Sequence, residues 1–252
     1  MEKKNPLYQL QVFRYETREE LGKCAAEQAA EVIRKLLVQK EYVRIIFGAA
    51  PSQNEFLAAL AASDVDFSRI VAFHMDEYVG ISPNNPASFV TYLRNHIFDL
   101  VPFAQVYYLN GAAPDIEAEC ARYSALLREA PIDVVCMGIG ENGHIAFNDP
   151  GEADFDDPCL VKRVKLDDVC RMQQVHDGCF PDLDAVPKYA MTLTVPMLRS
   201  ASHHFCMVPS ALKAKAVYRT LHEKIDPACP ATIIRLCKDM RLYMDKYSAQ
   251  II

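Results

Sequence analysis

Two periods of apolar residues alternate along the chain. Short apolar runs are typical of buried strands, whereas stretches in which apolar residues recur every three or four positions are typical of amphipathic helices. Strands are predicted over 7–14, 42–47, 69–73, 106–109, 132–137, 191–195, 203–208 and 241–244. Helices are predicted over 21–40, 54–62, 86–98, 115–129 and 210–224. This alternation predicts an α/β fold, a Rossmann-like three-layer sandwich whose mostly parallel central sheet has helices on both faces.

Local signals refine this arrangement. Thr17 and Glu20 form a capping box ahead of the first helix, and Asn85 is expected to cap the third, with Pro86 at its first position. Beyond Pro150, aspartates and scattered glycine and proline replace the regular pattern as far as about residue 185. We therefore expect a single domain over residues 1–252 with a lid at about 150–185.

Composition narrows the class of partner. A formal charge of −6 without a basic cluster argues against nucleic-acid binding, and it means that local groups must hold any anionic ligand. No apolar run approaches the length of a membrane span, and residues 1–13 alternate like a strand, unlike the continuous apolar core of a signal peptide. We expect a cytoplasmic protein that binds a small molecule, as a monomer or a small homo-oligomer, with no membrane or nucleic-acid partner.

The nine cysteines predict neither disulfides nor a metal site. Their number is odd, no Cys-x-x-Cys pair occurs, and several fall within predicted strands or helices. Reduced thiols that serve as small apolar residues in a cytosolic protein explain this distribution best. We therefore expect no bound metal.

The stretch 132–149 says most about function. A predicted buried strand ends in three glycines over 138–143, and His144 follows them. Open α/β sheets bind ligands at the carboxyl ends of their strands, and histidine moves protons near neutral pH. Asn142 and Asp149 flank the histidine and can orient its ring, which is the layout of an acid/base site. The alternative is a glycine-rich turn that carries a solvated histidine.

A second loop follows the strand predicted over 42–47. It contains the small or polar residues Ala49, Ala50, Ser52 and Gln53 just before a helix. Small residues let backbone N–H groups approach a phosphate, and a helix N-terminus adds positive potential. Small residues are also common at strand-to-helix turns that bind nothing, so the loop by itself leaves both interpretations open.

Three charged residues complete the candidate site. Asp76 and Glu77 follow the strand predicted over 69–73. One of two adjacent carboxylates can have a pKa suited to a base that removes a proton next to a carbonyl or imine, and we expect Asp76 in this role. Glu77 is expected to contact the substrate. The alternative is a solvated acidic turn or a helix N-cap. Lys213 lies at the start of the last predicted helix, where it can pair with a phosphate or simply be a surface lysine.

With these elements in order, the chain resembles the glucosamine-6-phosphate deaminase (isomerase) family, which belongs with the 6-phosphogluconolactonases. The likeness extends over most of the chain and is densest in four segments: FHMDEYVG at 73–80, LNGAAPDIEA at 109–118, GIGENGHIAFNDP at 138–150 and VPKYA at 186–190. Family members convert an amino sugar phosphate and water to a ketose phosphate and ammonia without a metal or redox cofactor. Longer members carry extra C-terminal residues linked to allosteric control, so the resemblance implies simple, unregulated kinetics here.

The resemblance implies a role for each candidate. Asp76 takes the place of the base that moves a proton between C2 and C1. His144 takes that of the ring-opening acid/base, held by Asn142 and Asp149. Lys213 and the loop at 48–53 match the phosphate site.

The chain departs from the family pattern in three places. Residues 49–53 replace a loop that usually reads Thr-Gly-Gly/Ser-Thr-Pro, and the proline here lacks an N–H donor. Asn142 stands where some members have Asp, and Asp149 where many have Glu. The family's phosphate-binding lid arginine has no secure counterpart in this chain, in which Arg171 is the nearest residue.

The sequence therefore predicts a hexosamine-6-phosphate deaminase and aldose–ketose isomerase that converts glucosamine 6-phosphate and water to fructose 6-phosphate and ammonia. The altered phosphate loop keeps galactosamine 6-phosphate, or another phosphosugar, as a rival substrate. A 6-phosphogluconolactonase and a non-catalytic sugar-phosphate sensor are two competing interpretations. Asp76 argues against the lactonase, and the presence of both Asp76 and His144 argues against the sensor.

Overall fold

Strands form where the sequence places short apolar runs. The computed structural model describes residues 10–252. Within that range the strands are β1 (Leu10–Tyr15), β2 (Val43–Phe47), β3 (Ile70–His74), β4 (Asp76–Tyr78), β5 (Gln105–Tyr107), β6 (Val134–Met137), β7 (Val161–Lys165), β8 (Tyr189–Leu193), β9 (His203–Val208) and β10 (Met240–Asp245). Each predicted strand is observed with slightly shifted ends, and residues 7–9 of the first prediction lie outside the described residues.

Helices separate most of these strands. They are α1 (Arg18–Gln39), α2 (Asn54–Ala61), α3 (Phe89–Leu93), α4 (Ile116–Arg128), α5 (Asp168–His176), α6 (Val195–Arg199) and α7 (Ala214–His222). The predicted cap of α1 is confirmed at Thr17, whose hydroxyl accepts a hydrogen bond from the Glu20 backbone N–H over 3.2 Å, but the box is not reciprocal, because the Glu20 carboxylate accepts from the Glu16 N–H. In residues 10–252, no helix has both the length and the hydropathy needed to cross a membrane.

The predicted start of α3 is wrong by several residues. Asn85 does not cap the helix, because its side chain accepts from the Ala87 N–H in the preceding turn. Ser88 is the cap, and its hydroxyl accepts from Thr91 and donates to the buried carboxylate of Glu77. This tertiary contact fixes the helix start, and a five-residue π-helical segment, Arg94–Phe98, ends the helix.

Seven strands form one sheet in the order β1-β10-β9-β6-β2-β3-β5, and every pairing within it is parallel. Side chains alternate between its faces. On β2, Ile45 and Phe47 join the apolar cluster that contains α1 and α2. Ile46 joins the opposite cluster, which contains α4 and α7. The predicted three-layer α/β sandwich is therefore confirmed.

A small antiparallel sheet, β4-β8-β7, accompanies the main one. It ties the segment 150–185 to the main body, since that segment contains β7 and α5. The sequence pattern missed α5 because the helix buries polar side chains, Arg171, Gln173 and Gln174. A helix that buries polar groups carries no apolar period.

Candidate active site

A cleft of about 270 Å³ lies at the carboxyl ends of the parallel strands. The loops after β2, β6 and β9 border it, together with β4. Seven of the ten predicted site residues line this cleft: Ala49, Ala50, Ser52, Gln53, Asp76, His144 and Lys213. Asn142 and Asp149 lie directly behind His144, and Glu77 faces elsewhere.

The imidazole of His144 packs closely against Gly140, where a Cβ atom would come within 2.1 Å of the ring. Its Nδ1 atom lies 2.8 Å from Asn142 Oδ1 and 3.1 Å from Asp149 Oδ1. Because both neighbours are acceptors, Nδ1 carries the proton. Nε2 then keeps a lone pair, and it has no hydrogen-bond partner among residues 10–252. His144 can therefore accept a proton from a ligand in the cleft.

A carboxylate network supports this histidine. The side-chain amide of Asn142 donates to Asp149 Oδ1 and to Asp167 Oδ2, each over 3.0 Å. Burial alone would raise the pKa of Asp149, but the hydrogen bonds from His144 and Asn142 outweigh it and hold the pKa below its ordinary value. Asp149 therefore stays ionised beside Nδ1 and stabilises the imidazolium that forms when Nε2 takes up a proton.

Asp76 enters the same cleft from β4. Its backbone pairs with Thr192 on β8, and its carbonyl accepts from His74 Nδ1 over 3.0 Å. Burial and the charge of Glu77 raise the pKa of Asp76 well above its ordinary value. A carboxylate with a raised pKa is a stronger base and can hold a proton between two transfers.

Glu77 does not line the cleft, so its predicted contact with a ligand is corrected. Its carboxylate accepts hydrogen bonds from the Ser88 hydroxyl and from the backbone N–H groups of Phe89 and Val90 over 2.8 to 3.2 Å. Neighbouring residues of a strand point to opposite faces, so Asp76 and Glu77 cannot both enter the cleft. Glu77 binds the N-terminus of α3 instead.

The same cleft is lined by groups that can hold an anion. The Nζ atom of Lys213 is buried and has no hydrogen-bond partner among the described residues. Burial lowers its pKa. Gln53 Nε2 donates to Ser52 Oγ over 3.0 Å, which leaves the Ser52 hydroxyl proton free to donate. An unpaired ammonium and a free hydroxyl that line one cleft favour an anionic ligand.

Sequence reasoning missed part of the lining. Gln173, Gln174 and Asp177 border the cleft from α5 and the residue after it, and Arg18 does so from the start of α1. Gln173 accepts from the Glu141 N–H, and Gln174 from the Tyr78 hydroxyl, which places α5 over the cleft. No sequence motif marks these residues, because they lie outside the glycine-rich and acidic loops that the sequence singles out.

Comparison with known proteins identifies the family. A family model described as glucosamine-6-phosphate isomerases/6-phosphogluconolactonase matches residues 16–244. The chain belongs to this family.

Curated relatives include two bacterial glucosamine-6-phosphate deaminases. That of Listeria welshimeri is 32% identical over 229 residues, which are 91% of this chain and 96% of the relative. That of Lactobacillus delbrueckii subsp. bulgaricus is 31% identical over 233 residues, which are 92% of this chain and 95% of the relative.

Solved structures extend the comparison. A monomeric glucosamine-6-phosphate deaminase matches with a TM-score of 0.88 and 28% identity, covering 96% of this chain and 100% of that one. The 6-phosphogluconolactonase of Trypanosoma brucei matches with a TM-score of 0.77 at 19% identity, covering 96% and 98%. The second likeness shows a shared fold.

Arg171, the residue nearest in sequence to the family's phosphate-binding lid arginine, does not reach the cleft. Its guanidinium donates to Asp168 Oδ1 and to the backbone carbonyls of Leu183 and Val186. These contacts hold the segment after α5, and Arg171 does not line the cleft. The arginine that does line it is Arg18.

One group of residues has the donor types of a metal site. A ring nitrogen of His144, a carboxylate oxygen of Asp149 and the Cys170 sulfur lie within 4.8 Å of one another. Burial and the charges of Asp149 and Asp167 raise the pKa of the Cys170 thiol well above its ordinary value, so the sulfur stays protonated. Because metals bind the thiolate, this group fits a hydrogen-bonded network better than a metal site.

Proposed function

We propose that the chain is a hexosamine-6-phosphate deaminase and aldose–ketose isomerase. The leading reaction converts glucosamine 6-phosphate and water to fructose 6-phosphate and ammonia. The observation that carries this proposal is one cleft that holds a carboxylate of raised pKa, Asp76, a histidine with a free Nε2, His144, and an unpaired ammonium, Lys213.

His144 would open the sugar ring. Nε2 takes the proton of the anomeric hydroxyl while Asp149 stabilises the resulting imidazolium. The proton then passes from Nε2 to the ring oxygen, so the C1–O5 bond breaks and an open-chain aldehyde forms. This step leaves His144 in its starting state.

Asp76 would catalyse the isomerisation. Its carboxylate takes the proton from C2, and the C2–H electron pair forms the C1=C2 double bond of an enolamine whose O1 carries the negative charge. The same carboxyl group returns the proton to C1, and an amino proton passes to O1, which leaves a hydroxymethyl group at C1 and an imine at C2. Water adds to this imine and ammonia leaves, which completes the ketose phosphate.

The phosphate would bind at Lys213 and the loop after β2. Lys213 supplies a buried positive charge, and Ser52 supplies a hydroxyl at the start of the helical turn that leads into α2. Ala49, Ala50 and Gln53 shape the loop around it. This site recognises the phosphate and leaves open the configuration at C4, which distinguishes glucosamine from galactosamine.

We also propose that residues 1–252 form a single domain in which the segment 150–185 acts as a lid, since α5 of that segment borders the cleft. A cytoplasmic location is supported by the nine unpaired cysteines, five of which lie in the two apolar clusters and serve there as small apolar side chains.

The test is ammonia release from glucosamine 6-phosphate and galactosamine 6-phosphate in parallel, with hydrolysis of 6-phosphogluconolactone as a third arm. We expect ammonia from at least one amino sugar phosphate, and a loss of about 10²-fold or more in Asp76→Asn. Asp64→Asn, an exposed aspartate on the surface, is the matched control and should retain full activity. Lactone hydrolysis without ammonia release would overturn the proposal in favour of the lactonase, and phosphate binding without turnover would favour the sensor.

A further inference from the structure

We propose that Arg18 is a second phosphate-binding cation and thereby helps to select phosphorylated ligands. This inference rests on the proposed function, because it concerns the phosphate end of the same cleft. Arg18 comes from the first turn of α1, far in sequence from Lys213 and from the loop after β2.

The position of Arg18 is fixed by two partners. Its Nη2 atom donates to the Pro51 carbonyl over 2.7 Å and to Glu55 Oε2 over 2.9 Å. Its Nε atom lies 2.8 Å from Glu55 Oε1. The Pro51 contact places the guanidinium directly against the loop that contains Ser52, at the border of the cleft.

One face of this guanidinium is unused. Nη1 donates to no protein group in the described part of the chain, and the side chain is 38% exposed. A guanidinium offers five N–H donors in a planar fork that matches phosphate oxygens. Arg18 is therefore held by the two hydrogen bonds of Nη2 and by its ion pair with Glu55, while Nη1 is free to donate to a ligand.

The charge of a phosphate ligand favours a second cation in the cleft besides Lys213. A phosphate monoester carries about −1.5 to −2 charges near pH 7, whereas Lys213 supplies only one positive charge. Asp177 and Glu141 act on Lys213 as opposite charges, and the whole chain carries −6. A second cation at the cleft is needed to bind a dianion well, and Arg18 is the arginine that lines it.

Glu55 makes the proposal sharply testable, because it competes with a ligand for Arg18. The structural alternative is that Arg18 only ties α1 to the loop and to α2. Removing the Glu55 charge weakens that tie but leaves Arg18 a freer cation. The two roles therefore predict opposite effects of Glu55→Gln on phosphate binding.

The experiment titrates inorganic phosphate into the protein by calorimetry and measures KM and kcat for glucosamine 6-phosphate. We expect Arg18→Gln to weaken phosphate binding about tenfold and to raise KM similarly with little change in kcat. Glu55→Gln should strengthen phosphate binding a few-fold. Arg34→Gln, which removes a surface arginine paired with Asp64, is the matched control and should change neither.

The outcomes separate this inference from the proposed function. Unchanged phosphate binding in Arg18→Gln, or weaker binding in Glu55→Gln, overturns the role of Arg18 even if the wild type releases ammonia. If the wild type binds phosphate but turns over no amino sugar phosphate, the proposed function fails while the calorimetric arm still decides the role of Arg18. If Arg18→Gln does not fold, the direction of the Glu55→Gln effect decides.

Discussion

Replacing Gly140 by alanine tests whether the position of the His144 ring matters for the reaction. A Cβ atom at residue 140 would lie 2.1 Å from Cε1 of the imidazole and 2.3 Å from each ring nitrogen. Ordinary van der Waals contact begins at 3.4 Å, so the ring must retreat by about 1.3 Å, the difference between 3.4 and 2.1. The backbone at Gly140 does not require a positive φ, so alanine adds bulk without backbone strain.

This displacement has a calculable consequence. A retreat of about 1.3 Å breaks the contacts of 2.8 and 3.1 Å that Nδ1 makes with Asn142 and Asp149. A misplacement of about 1 Å in an acid/base group can cost about 10²-fold in rate. Overpacking of this kind costs about 1–3 kcal/mol of stability, which leaves most domains folded. We therefore expect kcat to fall about 10²-fold in a folded protein.

The assay is ammonia release from glucosamine 6-phosphate as a function of pH, with circular dichroism and urea unfolding to verify the fold. Gly151→Ala is the matched control, because Gly151 has a φ of +93° and a Cβ there would meet nothing within 4 Å. That variant should lose about 1 kcal/mol of stability from backbone strain and keep its kcat. A folded Gly140→Ala with wild-type kcat would refute the acid/base role of His144.

Two further predictions concern buried ionisable side chains. His74 donates through Nδ1 to Asp76 and accepts at Nε2 from the Leu109 N–H, so it is neutral, and burial lowers its pKa to about 4. Because this pKa lies below the unfolded value of about 6.5, stability is complete above pH 6.5 and is lost as the pH falls toward 4. In urea, the free energy of unfolding of the wild type should be about 2 kcal/mol lower at pH 5 than at pH 7, and His74→Gln should lack this decrease. An equal decrease in both proteins would contradict the prediction. Lys213→Met should raise the unfolding free energy by about 1 kcal/mol, since it removes an unpaired buried ammonium, while phosphate binding is lost; a lower melting temperature with intact binding would contradict it.

Much of the fold was predictable because its strands are buried on both faces. A strand such as β6, which is buried at all four positions, consists entirely of apolar residues because both of its faces are covered. Thr17 and Asp115 are the N-caps of α1 and α4, and their side chains accept hydrogen bonds from backbone N–H groups three residues later. These are local signals, and they predicted the parallel sandwich correctly.

The pairing of His144 with its supports was predictable for the same reason. Asn142 and Asp149 lie within five residues of His144, so a single loop determines their contacts. Asp76 and Lys213 were found because both follow strands whose carboxyl ends meet at one edge of the sheet. Their roles in the reaction remain predictions, which the variants described above test.

Other features of the site depend on contacts between segments that are distant in the chain. Period-two alternation dictates that Asp76 and Glu77 face opposite ways, but only the packing of α3 determines that Glu77 is the one turned away from the cleft. The start of α3 depends on the same contact, since Ser88 binds Glu77 and Asn85 does not.

By itself, the sequence determined the chain order of the seven main-sheet strands and of the helices α1 to α4 and α7, the sheet edge that carries the site and the residues of its two principal motifs. The tertiary structure decided which side chains enter the cleft, including Arg18 from α1 and Gln173 and Asp177 from the region of α5. The physical reason is the range of the interactions. Apolar periodicity and capping act within a few residues, whereas a cleft is formed by side chains that only the packed sheet brings together.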